Sequence, residues 1–176
     1  IGVPQNYEEH ALEATADKGI SQGNPRRKME DQGLFLKANS ALIGPSEGVA
    51  IRFSDRRTDH EAELGVVIGK WGSDISYEDA LDYVAGYAIA LDMVVRGPED
   101  RSFRKSVDTY AVLGAWMVTA DEIADPGNLD FHLSVGGEVR QKNNTSNLLL
   151  DLPGQIAWAS KFYSLHPGDI IMSGTC

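Results

Sequence analysis

The sequence predicts an α+β fold built on a mixed β-sheet with a few flanking helices. Three observations lead there. Short runs of β-branched, aromatic and other apolar residues recur along the whole chain, at 61–68, 87–95 and 112–118 among others. Only three stretches carry helix-start signals. No internal repeat and no linker separates two halves, so strands and helices share one domain spanning 1–176.

Taken in order, Asn6 followed by Glu9 reads as an N-cap with its capping-box partner, starting a helix that runs to about Lys18 and stops at Gly19. Residues 21–31 are polar, breaker-rich and without periodicity, which predicts a mobile loop. Short strands are expected at 34–37, 49–53 and 61–68. Ser76 with Asp79 predicts a second helix, ended by Gly86. A long apolar run at 87–95 precedes a charged loop at 96–105 and a strand at 112–118. Residues 129–135 alternate apolar and polar, and Gly136-Gly137 predicts a hairpin into 138–141. Asp151, with Pro153 two residues on, starts a third helix to about Tyr163. Pro167-Gly168-Asp169 then turns the chain into a last strand. Ile1 at the start, and a strand-like run ending just before Cys176, lead to the expectation that the domain is incomplete at both ends.

The bulk numbers exclude several classes. Apolar and charged fractions of 42% and 24% are those of an ordinary globular protein. Sixteen Lys and Arg against twenty-six Asp and Glu give −10, which argues against nucleic acid or an anionic membrane as partner. No apolar run is long enough to span a membrane, and no signal peptide opens the chain. A lone cysteine, Cys176, excludes an internal disulfide and a thiolate zinc cluster and fits a reducing cytoplasm.

Glu61-Ala62-Glu63 heads the apolar run 61–68. In a strand these two carboxylates share a face, and in a half-buried place their repulsion calls for a shared proton or a cation. The plain alternative is an exposed acidic strand end. Asp92 lies inside the apolar run 87–95, where an ionised carboxylate requires a partner. Arg96 could be that partner, or a metal could. Three carboxylates offering only oxygen suit Mg²⁺ or Mn²⁺ better than zinc. His10 and Glu13, at i and i+3 of a helix, share a face, so the carboxylate can hold one ring nitrogen and leave the other as a base; a surface pair is the alternative. Arg96, Arg101, Arg104 and Lys105 crowd a loop that reads as solvated surface, or as cations for an anionic substrate or a developing oxyanion. Ser173-Gly174-Thr175 places a hydroxyl and backbone amides at a strand end.

These pieces together resemble the catalytic domain of the fumarylacetoacetate hydrolase family. The matching stretches are 6–13, 34–37 with 40–45, 61–69, 79–87, Leu91-Asp92 with Arg96, Lys105-Ser106 with Asp108, 167–171 and 173–175, in the family's order and over nearly the whole chain. The resemblance implies a rolled mixed β-structure with flanking helices, a homodimer, and residues 1–31 acting as a lid. It implies that Glu61, Glu63 and Asp92 hold Mg²⁺ or Mn²⁺ and that His10 with Glu13 activates water. Lys105 would stabilise developing negative charge, while Arg96 and Thr175 would contact a small anionic 2-oxo acid. The implied activity is carbon–carbon hydrolysis of a 2,4-dioxo acid of the acyl-, maleyl- or fumarylpyruvate type in aromatic-compound catabolism. The alternatives are decarboxylation or isomerisation of a related 2-oxo or 2-hydroxydienoic acid, or a non-catalytic cation-binding β-domain. Departures from the family pattern are Glu99 where many members have glutamine, a short 92–105 segment, and Cys176 where a proline is usual. The first two bear on substrate shape more than on the metal site, and the third accords with the expected incompleteness of the domain.

Overall fold

The computed structural model describes residues 1–25 and 27–176; Arg26, within the expected loop at 21–31, lies outside the described residues. Nine strands and five α-helices are described: α1 (Glu8–Ala16), α2 (Lys18–Ser21), α3 (Met29–Gln32), β1 (Leu42–Ile43), β2 (Thr58–Asp59), β3 (Ala62–Ile68), β4 (Val84–Asp92), β5 (Val94–Val95), α4 (Arg101–Lys105), β6 (Ala111–Thr119), β7 (Asp130–Val135), β8 (Glu138–Asn144), α5 (Leu152–Ser160) and β9 (Ile170–Met172). The main sheet runs β1-β6-β4-β3-β9. β1 pairs with β6 in parallel and every other pairing is antiparallel, so the sheet is mixed and the fold is α+β. Two small ribbons, β2-β5 and β7-β8, flank it. The Gly136-Gly137 hairpin forms as expected, both glycines taking positive φ.

β3 and β4 read as continuous apolar runs because both of their faces are largely covered. The main core packs Leu64, Val66 and Ile68 of β3 and Ile171 of β9 against Leu152, Ile156 and Ala159 of α5. Each such fully buried large aliphatic side chain contributes roughly 1.5–3 kcal/mol of transfer free energy. Asp151 starts α5 as expected, its Oδ1 accepting from Gly154 N at 3.0 Å. The helix ends at Ser160 rather than near Tyr163.

Several local expectations are corrected. Asn6 is not the cap of α1. Tyr7 holds that position without a side-chain bond, while the buried Asn6 amide makes three backbone bonds, donating to Leu150 O and Ser173 O and accepting from Leu150 N. Three bonds to distant backbone outcompete one local cap. The first helix stops at Ala16 because Asp17 leaves helical geometry to accept from Gly19 N and pair with Arg57. The Ser76–Asp79 side-chain pair forms, but it opens only a 3-10 turn at Ala80–Tyr83. Gly86 lies inside β4, where any Cβ would sit 2.4 Å from Val118 O on β6; close strand approach, not helix termination, demands glycine there. Finally, 34–37 makes only a single bridge at Phe35, 49–53 forms no strand, and the run 87–95 breaks at Met93, after which β5 leaves the main sheet for β2. The loop at 96–105 contains α4, whose cap is Asp100. α3 lies partly within 21–31.

Candidate metal centre and active site

The register of β3 with β4 assembles the centre. Ala62 faces Leu91 and Glu63 faces Ala90, and Asp92 N donates to Glu61 O at 2.8 Å, so Asp92 sits directly across from Glu61. Directly opposed antiparallel residues project to one face, and Glu63, two residues from Glu61, joins them there. One carboxylate oxygen from each of the three lies within 4.8 Å of the other two. Their residues are 4%, 3% and 0% exposed for Glu61, Glu63 and Asp92, which removes the exposed strand end as an account of the pair.

β9 closes the third side. Ser173 N donates to Leu64 O, Gly174 N donates to Glu63 Oε2 at 2.8 Å, and Thr175 Oγ1 donates to Ala62 O at 3.0 Å. Gly174 has φ +100°, and a Cβ on it would meet Asn6 Cβ at 2.6 Å, so only glycine can aim that N–H at Glu63. From the other side, α4 brings in Lys105. Its Nζ donates to Glu61 Oε2 and Asp92 Oδ2 and lies 5.0 Å from the centroid of the Phe35 ring. Arg96 does not pair with Asp92. It reaches Asp59 Oδ2 at 2.8 Å and Glu61 Oε1 at 3.0 Å, and Asp92 is held instead by Lys105 and Lys37.

The electrostatics divide the carboxylates. Burial opposes ionisation of Glu61, but Lys105 and Arg96 outweigh it and bring the carboxyl down to about 2. Glu63 has no ion-pair partner among the described residues, and burial, reinforced by Asp92 and Glu61, pushes its carboxyl well above the ordinary range. Burial disfavours the Lys105 ammonium, yet Asp92 and Glu61 overcome that and raise it, whereas burial lowers Lys37. A buried carboxylate cluster in which one member lacks a countercharge is a donor set that accommodates a divalent oxygen-seeking ion, so Glu61, Glu63 and Asp92 fit such a metal.

His10, on the buried face of α1, lines the same chamber of about 90 Å³ as Glu61, Glu63, Arg96, Lys105 and Thr175. Its Nδ1 stands 3.4 Å from Glu13 Oε2, a loose contact with a carboxylate that faces solvent. The structure therefore brings seven of the eight expected site residues to or around one chamber, Asp92 through its contacts, with Glu13 behind His10. Three residues that complete the arrangement were not expected. Lys37, read as the end of a strand and as part of a family stretch but given no role, has a buried side chain that holds Asp92 and the backbone carbonyl of Lys105. Asp59 anchors Arg96. Gln141 ties Ala62 N, Thr175 Oγ1 and Cys176 O together from β8. Only Lys37 carried a signal, a lysine closing the apolar run Leu34-Phe35-Leu36. Glu99, the departure from glutamine, points away from the chamber to a two-point pair with Arg56 at 3.0 and 2.7 Å.

Known proteins share this architecture. A maleylpyruvate hydrolase from Aquipseudomonas alcaligenes is 54% identical over 177 residues, covering 99% of this chain and 62% of that protein. The crystal structure of maleylpyruvate hydrolase from Sphingobium sp. SYK-6 in complex with manganese(II) and pyruvate matches with a TM-score of 0.82 at 43% identity, covering 99% of this chain and 58% of that one. An oxaloacetate tautomerase from Xenopus laevis is 38% identical over 181 residues, covering 99% of this chain and 54% of that protein. The chain thus spans between 54% and 62% of the length of these relatives. The family model described as fumarylacetoacetate hydrolase C-terminal matches residues 1–176. With that match over its full length, and with the α+β mixed sheet of its structural neighbours, the chain belongs to the fumarylacetoacetate hydrolase family.

Proposed function

We propose that this chain forms the catalytic centre of a Mg²⁺- or Mn²⁺-dependent hydrolase that cleaves a carbon–carbon bond in a 2,4-dioxo acid of the maleylpyruvate type. The observation that carries the reading is the single buried chamber. In it three convergent carboxylates, an ammonium and an imidazole backed by a carboxylate stand together. The similarity to maleylpyruvate hydrolases, one crystallised with manganese and pyruvate, supports the same chemistry.

Glu61, Glu63 and Asp92 would hold the ion, which when bound supplies Lewis-acid polarisation of the substrate's 2-oxo acid end. His10 accepts a proton from water at Nε2 while Glu13 steadies Nδ1; the 3.4 Å contact tightens as α1 and the residues up to 31 close over ligand as a lid. The resulting hydroxide adds to the carbonyl at C4. The C3–C4 bond then breaks, leaving the tail as a carboxylic acid, and its electron pair becomes the pyruvate enolate. Lys105 Nζ, held at the rim of the carboxylate cluster by Glu61 and Asp92, would donate to that negative charge. The proton that His10 took from water is delivered to C3 and gives pyruvate. Arg96, fixed by Asp59, and the Thr175 hydroxyl, fixed by Gln141, orient the acid head.

Enolate-forming tautomerisation or decarboxylation uses the same head-group site and is the second reading, supported by the resemblance to oxaloacetate tautomerase. The His10–Glu13 pair favours hydrolysis over decarboxylation, because loss of CO₂ needs no base, whereas tautomerisation also calls for one to take the C3 proton. Assay of maleyl-, fumaryl- and acetylpyruvate and of oxaloacetate with Mn²⁺ or Mg²⁺ distinguishes them. His10→Ala should cut dioxo acid hydrolysis by about 100-fold or more and oxaloacetate decarboxylation far less. Equal losses in both would remove the case for water activation. We further infer a homodimer acting in the cytoplasm, in the catabolism of aromatic compounds.

A further inference from the structure

A cleft of about 770 Å³ adjoins the chamber, and Gln5, Phe35, Arg101 and Arg104 line both spaces. Arg27 lines the outer one. Arginines on a protein surface normally find carboxylates, all the more on one with a net charge of −10. These do not. Arg101 Nη2 donates to the neutral Gln32 Oε1 at 2.6 Å, and its guanidinium lies 5.3 Å from the Phe35 ring centroid. Arg104 Nε donates to the backbone carbonyl of Glu99 at 2.8 Å. The acids nearest in sequence are committed elsewhere: Glu99 to Arg56, and Asp100 to the amide of Ser102. Among the described residues, no carboxylate pairs with Arg27, Arg101 or Arg104. Burial lowers the Arg101 guanidinium's affinity for its proton, and Arg104 adds like-charge repulsion. Half-buried arginines with free donors beside one another are complementary to an anion.

We propose that Arg101 and Arg104 form a second anion subsite, which receives a terminal carboxylate on the substrate's tail and makes the enzyme selective for dicarboxylic 2,4-dioxo acids. The geometry of the two spaces gives the order of binding groups. The chamber has room for roughly three waters, so it takes the 2-oxo acid head and little else. Everything beyond the scissile bond extends into the outer cleft, past Phe35, toward the two guanidiniums. Leaving-acid specificity therefore resides in α4, the same helix that carries Lys105, so that tail recognition and charge stabilisation move together.

This inference rests on the hydrolytic reading above, and its test separates the two. In the full-length protein with Mn²⁺, kcat/KM is measured for maleylpyruvate and for acetylpyruvate, which lacks the tail carboxylate. Arg101→Met and Arg104→Met should each reduce the ratio of the two by about 10- to 100-fold, mainly through KM for the dicarboxylate, with Arg101→Lys in between. An unchanged ratio in both Met variants would overturn the subsite. If the wild-type protein cleaves neither compound, the hydrolytic reading fails but the subsite is still decided by calorimetry. With Mn²⁺ and pyruvate present, maleate should bind wild type at least about 10-fold more tightly than crotonate does, and the Met variants should lose that preference. Equal binding of the two acids by wild type would refute it.

Discussion

Among the charged side chains of the centre, Glu63 is the one whose charge the protein itself does not balance. Glu61 is met by Lys105 and Arg96, and Asp92 by Lys105 and Lys37, while among the described residues Glu63 receives only the amide of Gly174. In cation-free protein its carboxyl is therefore held well above the ordinary value near 4.5, first by burial and then by Asp92 and Glu61. A raised folded-state value means that the folded protein keeps a proton the unfolded chain has released. The associated stability is complete below the ordinary carboxylate range and is lost as pH rises toward the raised value. Glu63→Gln mimics the protonated form permanently. With a chelator present, the difference in Tm between variant and wild type should grow in the variant's favour from about pH 5 to about pH 8. Added Mn²⁺ should stabilise wild type across that window and leave the variant nearly unmoved. A Tm difference independent of pH in chelator would show that Glu63 has another countercharge.

At the scale of elements, the centre depends on three segments far apart in sequence meeting at β3. Asn6 is the fastener: from just ahead of α1 its side chain ties the entry to α5 at Leu150 to the Ser173 carbonyl that precedes Gly174. Asn6→Ala leaves three buried backbone bonds without their partner and should cost about 3 kcal/mol in urea or thermal unfolding. Because Gly174 is then no longer held over Glu63, Mn²⁺ affinity should also fall; an unaltered affinity would mean that β9 positions Gly174 unaided. Asn6 also shows where the sequence was and was not readable. Strands whose signal is their own periodicity or apolar run, β3, β4, β6 and β7, appear close to where they were expected, as do Asp151 at the head of α5 and the Gly136-Gly137 turn. Asn6, Gly86 and Ser76 misled because local helix signals were overridden by long-range contacts, a backbone clamp in one case and strand approach in another. The site divided the same way. Glu61, Glu63 and Asp92 announce themselves because carboxylates in apolar runs need a reason, whereas the local signals of His10, Glu13, Arg96, Lys105 and Thr175 fit a surface equally well, and the family pattern is what favours their roles. Lys37, Asp59 and Gln141 enter through tertiary pairing that spacing does not encode.

For the whole molecule, the unresolved demand lies on β6. Its partner β1 covers only Ala111 and Val112, so from Leu113 to Thr119 the strand is paired with β4 alone among the described residues. An edge of that length with open donors and acceptors is a template for another strand. Beside it, an apolar groove of about 300 Å³ is lined by Ile89, Trp116, Leu129 and Phe131, and Trp116 is 82% exposed. An apolar groove alongside a free strand edge calls for cover. In the homodimer we infer, a second copy would supply it by symmetry: an antiparallel β6–β6 contact about a two-fold axis is self-complementary and would satisfy both edges at once. The homodimer we infer is therefore expected to use this surface. Sedimentation equilibrium should find a dimer at micromolar concentration. Trp116→Asp should weaken association by about 100-fold or more, since it places a charge at the centre of the apolar contact, while leaving the far-UV circular dichroism unchanged. The fluorescence of wild-type Trp116 should shift to the red on dilution through the dissociation range as the indole returns to water. A variant that remains as dimeric as wild type would move the interface elsewhere and leave the β6 edge to a different partner.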